Sequence, residues 1–105
     1  MRGIRGHDYL LSQSWIEFKA PNAQGVYCLR DKEGKVIFIG KGNVRERLLS
    51  HWNRGTSTDA EIWSHAPATF RFELTGHPAE REAELIQELK PACNPLHHSL
   101  FPKFW

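Results

Sequence analysis

The chain has 105 residues, 40% hydrophobic and 11% aromatic, and its 14 Lys and Arg against 12 Asp and Glu leave a formal charge of +2. That is enough chain for one hydrophobic core and too little for two, so a single domain is expected. The charge excess is too small to argue for nucleic acid, no apolar run approaches the roughly 18 residues of a membrane span, and Met1-Arg2-Gly3-Ile4-Arg5 lacks a secretory apolar stretch, which together predict a cytoplasmic protein.

Residues 1–24 carry little pattern. Asp8 to Phe18 reads as a short helix or an arm packed through Trp15 and Phe18, and Pro21-Asn22-Ala23 as a turn. Runs 25–31 and 35–40 are rich in β-branched and aromatic residues and flank Asp31-Lys32-Glu33-Gly34, a turn-starting Asp with a Gly suited to positive φ, so they predict a β-hairpin. The second strand is expected to end at Gly40, with Lys41-Gly42-Asn43 turning into a helix over 44–53 capped by Asn43. Free N–H donors at that helix end would lie near the hairpin edge, where an anion could be held. A polar loop at 53–58 and a helical turn near 59–64 follow. Residues 68–74 alternate apolar with polar and predict a third, half-exposed strand. Pro78 opens a helix through Leu89, which Lys90-Pro91 stops.

The tail after Pro91, with Pro95, Pro102, Phe101, Phe104 and Trp105, reads as irregular chain packed by aromatics. The order predicts a small α+β domain, with a three-stranded, mainly antiparallel sheet, hairpin first, flanked by helices. Residues 1–24 are an N-terminal arm, 25–94 the core and 95–105 the tail. Cys28 and Cys93 lack zinc-ligand spacing and are expected to be free thiols.

On the second main helix, Glu80, Arg81, Glu84, Gln87 and Glu88 gather on one side and Ala79, Ala83, Leu85, Ile86 and Leu89 on the other. Glu82 falls inside the apolar arc. Burying an unpaired carboxylate costs several kcal/mol, so Glu82 is expected to be protonated, paired with a cation such as an Arg of the first helix, or bound to a metal. On the first helix, Arg47 and His51 are four residues apart and share a stripe bordering Val44, Leu48 and Trp52. Arg45 falls among those apolar residues and is expected to reach around the helix end.

Gly25-Val26-Tyr27 and Phe38-Ile39-Gly40, followed by Lys41, Arg47-Leu48 with His51, Glu82-Ala83-Glu84-Leu85-Ile86 and Lys90-Pro91-Ala92-Cys93-Asn94, resemble in order the motifs of the GIY-YIG nuclease domain. The resemblance covers about residues 25–94. Lys41 and the twelve-residue step from Glu82 to Asn94 are most similar to the nuclease branch of the bacterial excision-repair incision subunit.

The resemblance implies an endonuclease that hydrolyses DNA phosphodiester bonds with one Mg²⁺ or Mn²⁺ on Glu82. Tyr27 would take the proton of the attacking water, its phenol pushed below its ordinary pKa by metal and nearby cations. Arg47 would grip the phosphate, Lys41 would add charge, and His51 would assist with a proton or bind phosphate. Arg45, Gly40 and Asn94 complete the implied substrate-binding set, and a protein partner or self-association would supply specificity.

Two positions depart from the family pattern. Phe38 stands where the second tripeptide begins with Tyr, and Arg47 is one residue closer to Gly40. The missing hydroxyl leaves an alternative on the same scaffold, a non-cleaving nucleic-acid-binding or protein-docking module.

Overall fold

The computed structural model describes residues 3–55 and 58–94. Its elements in chain order are β1 (Tyr9–Leu10), α1 (Gln13–Lys19), β2 (Gln24–Arg30), β3 (Val36–Asn43), α2 (Val44–Trp52), α3 (Asp59–Ser64), β4 (Thr69–Leu74) and α4 (Pro78–Leu89). The strands form one sheet in the order β1-β4-β2-β3, every neighbouring pair antiparallel. The sheet therefore has four strands, one more than the sequence predicts, because Tyr9 and Leu10 pair with Phe70 and Thr69 along the outer edge of β4.

The expected hairpin forms for the expected local reasons. Oδ1 of Asp31 accepts from the backbone N–H of Glu33 and Lys35, and Gly34 turns at φ +86°. A bulge between Leu29 and Arg30 leaves Ile37 without a direct partner, so Ile37 and Phe38 both reach the larger core cluster. β3 does not stop at Gly40. It continues to Asn43, with Gly42 opposite Gly25 and Asn43 opposite Gln24.

The sheet is covered on both faces. One face carries Tyr27, Leu29 and Phe70 and packs against Ile16 and Ala20 near α1, Val44 and Leu48 of α2, and Ile62 of α3. The other carries Val26, Cys28 and Ile39, which meet Ile4 and Leu85 and Ile86 of α4. Of the two readings of residues 8–18 the helix forms, over Gln13–Lys19; its packed residue is Ile16, while Trp15 and Phe18, expected to anchor an arm, are 37% and 71% exposed. In α4, Ala79 and Ala83 also lie exposed, and the inner face is Glu82, Leu85 and Ile86.

The N-terminal stretch is fastened by charge as well as by β1. Asp8 accepts from Arg30 and Arg71, and Arg81 reaches both Glu73 and the carbonyl of Gly3. Lys90 ends α4 in the left-handed region at φ 48°. The chain then runs along β3, the edge strand, where the N–H of Cys93 bonds the carbonyl of Ile37 at 2.7 Å. The aromatic tail expected at 95–105 lies outside the described residues. Among the described residues, no helix is long and apolar enough to cross a membrane.

Candidate active site

The centre of the site is the pairing of β2 with β3. Tyr27 stands directly opposite Gly40, and Gly25 opposite Gly42, so on this face the sheet has a strip without side chains. The phenol of Tyr27 fills that strip: a Cβ placed on Gly40 would overlap its hydroxyl. Gly42 has φ +126°, and a Cβ there would come 3.2 Å from Cγ of Arg47, whose stem lies over it. Gly40 is thus buried and without a side chain where the Tyr27 phenol needs the room.

α2 brings Arg47 and His51 onto the same face. His51 is buried, its Nε2 is 2.7 Å from the Tyr27 hydroxyl, and its Nδ1 is 2.7 Å from Oδ1 of Asp59. Burial holds the His51 pKa down, against the pull of Asp59, and Arg47 adds to the lowering. A neutral ring between a carboxylate that can only accept and a hydroxyl that can donate has one consistent arrangement: Nδ1–H donates to Asp59 and Tyr27 O–H donates to Nε2.

Burial also raises the Tyr27 pKa; the Arg47 guanidinium, bonding the phenol and attracting its anion, pulls it back, while the charges of Glu82 and Asp59 raise it further. Without a cation on Glu82, the phenol is therefore harder to ionise than a free one. Burial dominates because the ring is enclosed by Phe38 and His51, at centroid distances of 6.3 and 5.6 Å.

Asp59 was not among the residues singled out by sequence reasoning. The signal is there: Asp59 and Ile62 are three apart and both buried, so the acid lies on the apolar stripe of its helix. That is the same mark that picks out Glu82.

Glu82 is 7% exposed on the inner face of α4, and Oε1 is 3.4 Å from Nζ of Lys41. Its cation partner is this lysine of β3, not an arginine of the first helix. Burial raises the Glu82 pKa, and Lys41 opposes the rise. Lys41 pairs opposite Val26, so it and Glu82 occupy the α4 face of the sheet, whereas Tyr27, Arg47 and His51 occupy the α2 face. The two sets still interact, since the Glu82 charge acts on the Tyr27 proton. Beside Lys41 and Gly42 an open cleft of about 460 Å³ runs between Gln24 and the start of α4 at His77 and Pro78.

One further expectation changes, and two of the expected site residues have partners within the fold. The first-turn N–H groups of α2 are taken: Val44 by Ala23, Arg45 by Pro21 and Glu46 by the Asn43 side chain, which leaves them unavailable to an anion. Arg45 reaches around the helix end, as expected, and donates Nε to the carbonyl of Ala20 at 2.7 Å, beyond the last turn of α1, which clamps α1 to α2. Asn94 accepts from the Ile39 N–H at 2.9 Å and donates to the Ile39 carbonyl at 2.8 Å. Its buried amide occupies the free edge of β3 and clips that strand to the segment after α4.

Comparison with known proteins agrees with this arrangement of parts. No protein-family model matches the chain. UvrABC system protein C of Streptococcus equi subsp. zooepidemicus is 36% identical over 78 residues, 70% of this chain. Those residues span only 13% of that relative's length. The crystal structure of the GIY-YIG N-terminal endonuclease domain of UvrC from Thermotoga maritima, bound to its catalytic divalent cation, magnesium, superposes with a TM-score of 0.63 at 29% identity, covering 75% of this chain and 94% of that one. A tyrosine-to-phenylalanine point mutant of the same domain, also bound to its catalytic divalent cation, matches at 30% identity and a TM-score of 0.63, again covering 94% of its chain. With the fold, the motif order and the cover of the solved domain in agreement, the chain belongs to the GIY-YIG endonuclease domain family, in its UvrC excision-repair branch.

Proposed function

We propose that this domain cleaves DNA by hydrolysing phosphodiester bonds, with one Mg²⁺ or Mn²⁺ held by Glu82, in an excision-repair type of reaction. Glu82 suits such an ion: it is an oxygen donor whose burial makes a bare charge costly. When bound, the cation supplies neutralisation of the scissile phosphate and Lewis-acid polarisation.

The chain's own residues move the proton. Tyr27 takes a proton from the attacking water as its own O–H proton passes to Nε2 of His51, and Asp59 stabilises the imidazolium that results. The phenol never has to exist as a free anion, which reconciles a base role with its raised pKa. Arg47, beside the phenol, holds phosphate oxygens as charge builds on them, and Lys41 adds a positive charge next to Glu82. Phe38 contributes shape alone, its ring edge-on to His51 at 5.1 Å. The two 2.7 Å hydrogen bonds of Tyr27–His51–Asp59 carry this reading. Selection of the DNA site falls to a protein partner or a second copy.

Phe38 supports a second reading, a DNA-binding domain of the same family that does not cut. Incubation of the purified chain with plasmid, single-stranded and branched DNA in Mg²⁺ or Mn²⁺, beside Glu82→Ala and Arg47→Ala, separates the two. Metal-dependent cutting lost in both variants supports the nuclease. Salt-sensitive binding without cutting, with cleavage appearing only in Phe38→Tyr, supports the second reading; cutting that survives both substitutions contradicts the proposed site.

A further inference from the structure

We propose that Glu61, His65 and Cys93 form a second metal site, of the Zn²⁺ type, that ties α3 to the segment following α4. A carboxylate oxygen of Glu61, a ring nitrogen of His65 and Sγ of Cys93 all lie within 4.8 Å of one another. Glu61 and His65 are four residues apart, on α3 and at its C-cap, and so share one side of the helix. Both are exposed, while Cys93, in the segment after α4, is buried in the same core cluster as Ile62 of α3. The spacing of cysteines in the sequence could not reveal this, because the ligands come from two distant segments.

The donor set selects the ion. Thiolate and imidazole together favour Zn²⁺ over Mg²⁺, and three protein ligands with water in the fourth position is a familiar zinc arrangement. In the metal-free chain, burial and the Glu61 charge push the Cys93 thiol up to about 11. A bound divalent ion takes the thiolate, and the proton leaves to solvent.

The neighbours show what the ion would hold. Cys93 is already docked on β3 through Ile37, and Asn94 beside it through Ile39. α3 has six residues and no side-chain hydrogen bond at its N-cap, yet it supplies Asp59 to His51. So short a helix is marginal alone, and a metal bridge to Cys93 would fasten it to the edge strand. The site shares no ligand with Glu82, so it stands or falls independently of the nuclease reading.

The test uses the full chain carrying Glu82→Ala, which removes the proposed nuclease ligand, with Co²⁺ as a spectroscopic stand-in and a chromophoric chelator reporting Zn²⁺ affinity. The expected result is one equivalent of Co²⁺ with sulfur-to-cobalt charge-transfer absorption, displaced by Zn²⁺ and indifferent to excess Mg²⁺. Zn²⁺ should raise the melting temperature. Cys93→Ser should lose the absorption, and His65→Ala, at an exposed position, should keep the fold while binding Zn²⁺ at least about a hundredfold more weakly, since loss of supporting groups alone costs 10–100-fold. Should Cys93→Ser fail to fold, His65→Ala decides. Absorption that is absent, or that survives Cys93→Ser, overturns the proposal, as does Zn²⁺ affinity that falls with His97→Ala/His98→Ala instead of His65→Ala.

Discussion

Gly40 lies opposite Tyr27 in the β2–β3 ladder, and any side chain at Gly40 would occupy the space of the Tyr27 hydroxyl. The glycine of the second tripeptide is therefore a condition for the tyrosine of the first. Gly40→Ala should push the phenol away from His51, lowering single-turnover cleavage by about a hundredfold or more, the range expected when general-base catalysis fails. A variant cleaving at the parent rate would mean the ring has other room.

Glu82 links stability to pH. Burial raises its pKa above the unfolded value, so its contribution to stability is full in acid and is lost as pH rises through the folded-state value. Glu82→Gln, in metal-free buffer, should melt higher than the parent at neutral pH, with the gap closing as pH falls toward the ordinary glutamate value of about 4.3. Mg²⁺ should raise the melting temperature of the parent and leave the variant unmoved. Calorimetry at several pH values checks both; a variant that melts lower at neutral pH contradicts the account of the buried charge.

His51 has the opposite sign. Its pKa is held below the unfolded value, so the stability it contributes is present above about 6.5 and lost progressively as pH falls toward the lower folded-state value. Cleavage should fade on the same acid side as the ring charges. Asp59→Asn removes a charge that raises the His51 pKa, so the acid limb of the rate profile should move to lower pH while the maximum rate drops about tenfold or more. An acid limb that stays in place would remove Asp59 from the relay.

Asn94 tests the edge clip. Asn94→Ala leaves the N–H and carbonyl of the buried Ile39 without the Asn94 side chain, at a cost of about 2 kcal/mol or more. Urea unfolding should show this loss, with cleavage retained well below the melting temperature. Loss of cleavage in a folded protein would give the amide a substrate role beside the structural one.

What was legible in the sequence is what local chemistry decides. Asp31 and Gly34 make their turn from their own side-chain bonding and backbone freedom, and Pro78 and Asn43 start their helices as their residue types dictate. Glu82 was legible because a carboxylate on an apolar arc has few ways to be satisfied. β1 was not, because two residues become a strand only through the edge of β4, and the extension of β3 to Asn43 depends on glycines meeting across the ladder. For Arg45 and Asn94 the sequence shows their donor chemistry and hides their partners within the fold, the carbonyl of Ala20 and the backbone of Ile39. How tightly the Tyr27 phenol is enclosed, which raises its pKa in the metal-free chain, is hidden for the same reason.

The relay from Tyr27 to His51 is tested most directly by single-turnover cleavage of a labelled DNA in Mg²⁺ by the parent chain and by Tyr27→Phe, which keeps the ring and removes the proton. The account predicts a fall of about a hundredfold or more with DNA affinity and melting temperature little changed. Cleavage by Tyr27→Phe at the parent rate would contradict it.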